Sequence, residues 1–411
     1  MNPRVVAAAV ALLVIATGCN PISAATEPEQ PAPPVTRAEK VAVAVAIDTD
    51  ALFDELVAYV EETRGFTFET RPTLSTVDPG EVDVDDLYEE DEWLLIDESR
   101  FHALGILPTD VEFRSFLEAW ANSTFIGYYD PTTDEMVVAA TDAGWGPAVQ
   151  ATIVHELTHA VQERRGELTR SDKIWQIDGA EASDVFDALL EGEATLIEDL
   201  YMDSLSARAR WLRWEEESEL AGEPGPPNPY FDYMSFYPYD AGALAVTDAY
   251  EAGGWEGVDA LFADPPSTTE QLEHPGAAGS SYEELIEIPD VVVKGFDVVE
   301  EEQWGKNNFD GYLLNALPPG EPTDWADDWY RLHWDGSTSV TVHHLRGDDA
   351  AATDRLTDAL VFHCRSTDLG DGFAVLRSGP DAAFVASVDR AVTQRFVAEL
   401  AEYGYTAAGS C

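Results

Sequence analysis

The chain of 411 residues carries 79 acidic side chains against 23 basic ones, a formal net charge of −56. Such a charge repels a phosphate backbone, which excludes nucleic acid as a partner, and it disfavours gripping anionic headgroups through a basic face. Apolar residues make up 45% of the chain and include 11 Trp, enough for a large core, so the charge does not imply wholesale disorder. Lysine occurs only at Lys40, Lys173, Lys294 and Lys306. The acidic coat reads either as adaptation to high salt or as an acidic secreted protein from a low-lysine genome.

At the N-terminus, residues 1–18 combine Arg4 with an apolar run over 5–16, the length of an export signal and short for a permanent span. Ala16-Thr17-Gly18 then precede Cys19, which resembles a lipoprotein signal whose cysteine is lipidated after cleavage. Ordinary secretion and an uncleaved anchor are the alternatives, and all three place the folded part outside the cytoplasm. Residues 19–40 are rich in Pro, Ala, Thr and Glu and read as a disordered tether. The other cysteines, Cys364 and Cys411, either pair in an oxidising compartment or stand as unrelated thiols.

Further along, apolar spacing predicts a helix over 47–62 and a short one over 112–120. Two β-prone runs within 125–139 flank Asp130-Pro131-Thr132-Thr133-Asp134 and predict a hairpin. Pro147 opens a helical run that stops at Gly166, and a second long helix is expected over 182–205. The Pro-, Gly- and Tyr-rich stretch 222–240 reads as a loop or lid, followed by a helix over 241–252 and a loop over 265–279. Past Asp324 a strand is expected over 339–344, a helix over 350–362, two strands within 372–389 and a closing helix over 391–403. The expected division is a mainly helical domain over 41–324 with a small α+β lobe over 325–411.

Within the first long helix stands His155-Glu156-Leu157-Thr158-His159. Positions four apart share a helix face, so both imidazoles can reach one metal ion, and Glu156 lies close enough to act on a metal-bound water. A catalytic zinc wants three protein ligands and one open position, and no third histidine follows His159 before Gly166. The second helix supplies Leu190-Glu191-Gly192-Glu193, two carboxylates and a glycine inside an apolar run. Gly costs about 1 kcal/mol relative to Ala there, so a close approach to the metal or to the first helix is expected. Glu191 and Glu193 are about 200° apart around a helix and cannot both face one ion.

The pair HELTHAVQ and LLEGEATLIE resembles the gluzincin metallopeptidases, which hold zinc with two histidines and a glutamate from a downstream helix. The wider arrangement looks closer to a little-characterised group of prokaryotic extracytoplasmic lipoproteins with HELTHA, EGEAT and a later STEQ-x-x-HP-like segment. The resemblance implies a zincin-like α+β fold, Zn2+ held by His155, His159 and Glu191, and a peptide or protein substrate. Glu193 remains the alternative ligand, and Glu198 is either a support for a ligand histidine or a solvated carboxylate.

Glu156 would be the general base, and His274, Tyr237 and Tyr239 are the candidate donors to the oxyanion. The hairpin over 125–138 would offer an edge strand to an extended peptide or serve only in structural pairing. His343, His344 and His363 show no ligand spacing and read as structural or exposed. The competing function is a non-catalytic zinc-containing surface lipoprotein, against which an intact Glu156 counts.

Overall fold

A computed structural model describes residues 14–15, 49–78, 91–141, 144–220, 225, 227–275, 289–317, 323–409 and 411. The expected signal and tether, with Cys19, thus lie outside the described residues except at 14–15. The N-terminal half contains β1 (Val14–Ile15), α1 (Thr49–Arg64), β2 (Thr73–Val77), α2 (Asp91–Leu104), α3 (Phe113–Thr124), β3 (Phe125–Asp130), β4 (Glu135–Ala139), α4 (Pro147–Arg165), α5 (Glu167–Asp178) and α6 (Ala180–Ser204). It is followed by α7 (Ala207–Leu220), α8 (Pro229–Ala263), α9 (Thr269–Glu273), β5 (Asp297–Glu302), α10 (Lys306–Leu313), β6 (Trp325–Trp334) and β7 (Ser339–Gly347). The last elements are α11 (Ala350–Ser366), β8 (Phe373–Ser378), β9 (Asp381–Ala386), α12 (Arg390–Glu402) and β10 (Thr406–Ala407). The chain is therefore α+β, and no described helix is long and apolar enough to cross a membrane.

The expected hairpin forms, with β3 and β4 antiparallel and Gly127 opposite Val138. A parallel strand, β2, lies on the far side of β4, and β1 pairs antiparallel with the outer edge of β3. This sheet and α1 cover one side of α4, with Phe53, Leu56, Val60, Ile126, Met136 and Val138 sharing a core with Val149, Ile153, Val154, Leu157 and Val161. Every α4 residue from Ala148 to Gln162 except Gln150 is buried. A helix enclosed on all faces has no solvent for its polar side chains, so His155, Glu156 and His159 must find partners inside. Pro147 begins α4 and Gly166, at φ 79°, ends it.

The opposite side of α4 meets α6, and α6 is crossed in turn by α8. A Cβ on Gly192 would stand 2.2 Å from the carbonyl carbon of Gly242, and one on Gly242 would stand 1.7 Å from the Ala188 oxygen. The close approach that Gly192 permits is thus made to α8, not to the first helix or to a metal. The segment expected as a lid is the start of α8. The Asn228 side chain accepts from the N–H groups of Tyr230 and Phe231, and Pro229 occupies the first turn, where a missing N–H costs nothing. Phe231 then packs on Phe101, Phe113 and Phe116. α8 runs through the expected 241–252 helix and breaks at Gly254, whose φ is 61°. The loop expected over 265–279 contains the short α9, and its residues 276–279 lie outside the described chain.

The second sheet is antiparallel throughout, in the order β10-β8-β9-β7-β6-β5. Its edge strand β5 precedes residue 324, and one apolar core joins α2 and α3 to α11, Phe373 and Phe384, so packing is continuous across that position. Cys364 and Cys411 are joined by a disulfide. The three late histidines are buried and bonded within the protein, His343 to Asp328 at 2.7 Å, His344 to the Tyr405 hydroxyl at 3.0 Å and His363 to the Leu104 carbonyl at 2.9 Å.

Replacing Gly192 with Ala forces two helix backbones apart and should lower stability by about 1–3 kcal/mol, read as a lower Tm. Gly253→Ala, where a Cβ meets nothing within 4 Å, should leave Tm equal or higher. Equal effects at the two positions would refute the crossing as the constraint.

Candidate metal centre

His155 and His159 lie one turn apart on the face of α4 that meets α6, where Glu191 stands opposite them. Glu191 Oε2 is 3.1 Å from His155 Nε2 and 3.5 Å from His159 Nε2, and all three groups are buried. Their ligand atoms fall within 4.8 Å of one another, and this is the cluster of the described residues able to hold a metal ion. Glu193 takes no part. Its carboxylate instead accepts from Arg64 Nε at 2.5 Å and from Gln162 Nε2 at 2.9 Å, and it is fully buried.

The far nitrogen of each histidine is held as well. His155 Nδ1 bonds Glu198 Oε2 at 3.0 Å, and the other oxygen of Glu198 accepts from Arg213 at 2.5 Å. Glu198 thus supports His155, while Arg213, from α7, is a partner that helical periodicity gives no means of finding. His159 Nδ1 bonds Gln162 Oε1 at 2.8 Å. The Gln162 nitrogen donates to the Leu190 carbonyl and to Glu193, each at 2.9 Å, so its oxygen must face the histidine and His159 Nδ1 must carry the proton. That leaves His159 Nε2 with no hydrogen-bond partner, aimed at the Glu191 carboxylate. An unpartnered imidazole nitrogen beside a buried carboxylate is the environment a cation satisfies, so the residues fit a divalent metal ion.

Glu156 lies on the neighbouring face of α4, beneath β3. Neither of its oxygens has a partner, although the residue is wholly buried. A Cβ on Gly127 would stand 3.3 Å from Glu156 Oε1 and 2.6 Å from the Thr152 methyl, so the bare glycine lets the strand pass directly over this carboxyl group. Burial pushes Glu156 up to about 7, against the pull of His159 and His155. Burial would lower His155, yet its bonds to Glu191 and Glu198 hold it up at about 10 among the protein groups alone. Burial likewise opposes ionisation of Glu198, but Arg213 and His155 pull it down to about 2.

Of the three candidate oxyanion donors, Tyr239 is brought to the cluster. Its ring packs 5.9 Å from His155, and its hydroxyl bonds Glu191. Burial, with Glu191 and Glu156 adding to it, raises that hydroxyl well above the usual range, so it stays protonated and able to donate. Tyr237, about 200° away around α8, is turned toward α9 and stands near Glu273, Glu181 and Thr269. His274 is exposed at the C-terminal end of α9, and it lines with Tyr237 a different cavity of about 1330 Å³ that none of the metal-cluster residues borders.

The N-terminus of α4 is closed by Glu216, which accepts from the N–H groups of Gly146 and Ala148 at 2.8 Å each. A carboxylate at this end of a helix offsets its unpaired donors and its dipole.

Glu191→Ala should abolish stoichiometric metal uptake, whereas Glu193→Ala should weaken it by no more than about 100-fold. Dialysis against a metal buffer followed by elemental analysis separates the two, and a greater loss in Glu193→Ala would overturn the ligand assignment. Comparison of the chain with protein-family models, with curated proteins and with solved structures yields no match.

Proposed function

We propose that the protein is a zinc metallopeptidase that hydrolyses peptide bonds outside the cytoplasm, with His155, His159 and Glu191 as ligands and Glu156 as general base. The observation that carries this reading is a buried carboxylate with both oxygens unpartnered, one residue from a ligand histidine. A site that held metal for structure alone would need no such group. Zinc is favoured by the donor set and by the spacing. Ligands about 2.0–2.1 Å from a tetrahedral ion stand roughly 3.3 Å apart; Glu191 stands 3.1 and 3.5 Å from the two imidazoles, and all three ligand atoms lie within 4.8 Å of one another.

Zinc bound there supplies a Lewis acid for the scissile carbonyl and lowers the pKa of water. Glu156 takes the proton of the attacking water and delivers it to the leaving nitrogen as the C–N bond breaks. Tyr239, held protonated, donates to the carbonyl oxygen as it gains charge. The β3 edge beside Glu156 suits an extended peptide, since main-chain pairing along a strand places a backbone carbonyl at fixed depth. In the full chain that edge is occupied by Val14–Ile15, which belong to the signal-like residues 1–18, so cleavage after residue 18 would leave it open.

The disulfide between Cys364 and Cys411 supports an oxidising location. With it, the signal-like residues 1–18 and the tether over 19–40 support a lipoprotein held to the membrane through Cys19, with peptides or proteins as substrate.

Hydrolysis of an unfolded protein by wild type, Glu156→Gln and Tyr239→Phe tests the proposal. Glu156→Gln should keep zinc and lose activity by at least about 100-fold. Tyr239→Phe should lower kcat by about 10²–10³-fold with zinc retained. Activity unchanged in Glu156→Gln would sink the mechanism.

A further inference from the structure

We infer that Arg64, at the end of α1 and 95 positions before His159 in the chain, is a positioning residue for the metal centre. It acts on His159 through Glu193 and Gln162. The inference rests on the zinc reading above and deepens it.

Four side chains form an unbroken line of hydrogen bonds. His159 Nδ1 meets Gln162 Oε1 at 2.8 Å, Gln162 Nε2 donates to Glu193 Oε2 at 2.9 Å, and Arg64 Nε donates to Glu193 Oε1 at 2.5 Å. All four residues are buried, so water offers no substitute for a lost link. Two acceptors of the Gln162 nitrogen set the polarity along the line, the Leu190 carbonyl and the Glu193 carboxylate that Arg64 holds in place, each at 2.9 Å. Together they turn the Gln162 nitrogen away from His159 and the oxygen toward it. His159 therefore carries its proton on Nδ1 and presents the bare Nε2 to the metal. With the amide reversed, its nitrogen would face His159 Nδ1, and the wrong ring nitrogen would hold the proton.

Arg64 is itself firmly placed. Its other arm bonds Asp259 at 2.5 Å, Asp259 also accepts from Arg165 at 2.6 Å, and the guanidinium lies over the Trp255 ring at 4.8 Å from its centroid. The two ligand histidines thus each lead to an arginine by a different route. His155 reaches Arg213 through one carboxylate, and His159 reaches Arg64 through an amide and a carboxylate. In Glu191-Gly192-Glu193 the first residue holds the metal, the second clears α8, and the third anchors the partner of the second histidine.

An ion pair with a merely structural role would move Tm and leave metal affinity alone. The test is therefore zinc affinity of the full chain, by chelator competition, for wild type, Arg64→Met, Gln162→Leu and the double variant. The visible spectrum of the cobalt-loaded proteins serves as a second readout of ligand geometry.

Each single substitution should weaken zinc binding by about 10–100-fold and alter the cobalt bands, and the double variant should bind no more weakly than the worse single. If Arg64→Met does not fold, Arg64→Lys keeps the charge but not the two-armed grip. It should lose about threefold or more in the wild-type background and nothing further beside Gln162→Leu. Multiplying losses in the double variant, or an Arg64 variant with wild-type affinity and spectrum, would overturn the inference while the zinc reading stands. Wild type that takes up no zinc would overturn both.

Discussion

Five ionisable side chains, His155, Glu156, His159, Glu191 and Glu198, are buried together where α4 meets α6, and the surrounding architecture answers the need to compensate them. An uncompensated buried charge costs several kcal/mol, a large part of the stability of a typical domain. Each group but one is supported from the protein. Glu198 has Arg213 and His155, His159 has Gln162, and Glu191 has both histidines and the Tyr239 hydroxyl. Glu156 is the exception, and that exception is the main physical reason to read the centre as a catalyst.

The compensating groups are drawn from far apart in the chain. Arg64 ends α1, Arg213 sits on α7, and Tyr239 belongs to α8. In a chain with 79 acidic and 23 basic residues, cations are scarce. Two of them are nevertheless committed to the interior behind the two ligand histidines. The acidic coat and the buried centre are thus separate features of the chain.

Bare backbone is the other recurrent device. Gly127 brings β3 down onto Glu156, and Gly192 with Gly242 brings α8 down onto α6. The first contact sets a strand edge beside the base, and the second sets Tyr239 against His155 and Glu191. Tyr239 lies three residues before Gly242, hence on the α8 face turned to α6, whereas Tyr237 is carried to the other side. From Pro229 onward the proline- and tyrosine-rich stretch that reads as a lid is helical. Pro229 serves the opening turn, and the Phe231 ring is buried against α2 and α3.

By itself the sequence determined what local periodicity and spacing encode. These were the helix that Pro147 opens and Gly166 stops, a second helix expected over 182–205, the hairpin between α3 and α4, and the histidine pair on one helix face with Glu156 beside it. In the last lobe they were the strand expected over 339–344, the two within 372–389 and the helices over 350–362 and 391–403, but not β6 or β10. It narrowed the candidate third ligand to Glu191 or Glu193, because about 200° around the helix separates them, but it held nothing on which of the two would stand opposite the histidines. Tertiary structure placed Glu191 with the histidines and Glu193 apart from them, and it set the partners of Glu198, Gln162 and Glu193, the distance of Tyr237 and His274 from the cluster, and the pairing of Cys364 with Cys411. The reason is that periodicity states which side chains share a face, whereas what stands opposite that face depends on how distant helices cross. At the crossing of α6 and α8 the fit rests on two glycines 50 positions apart, which no local pattern records.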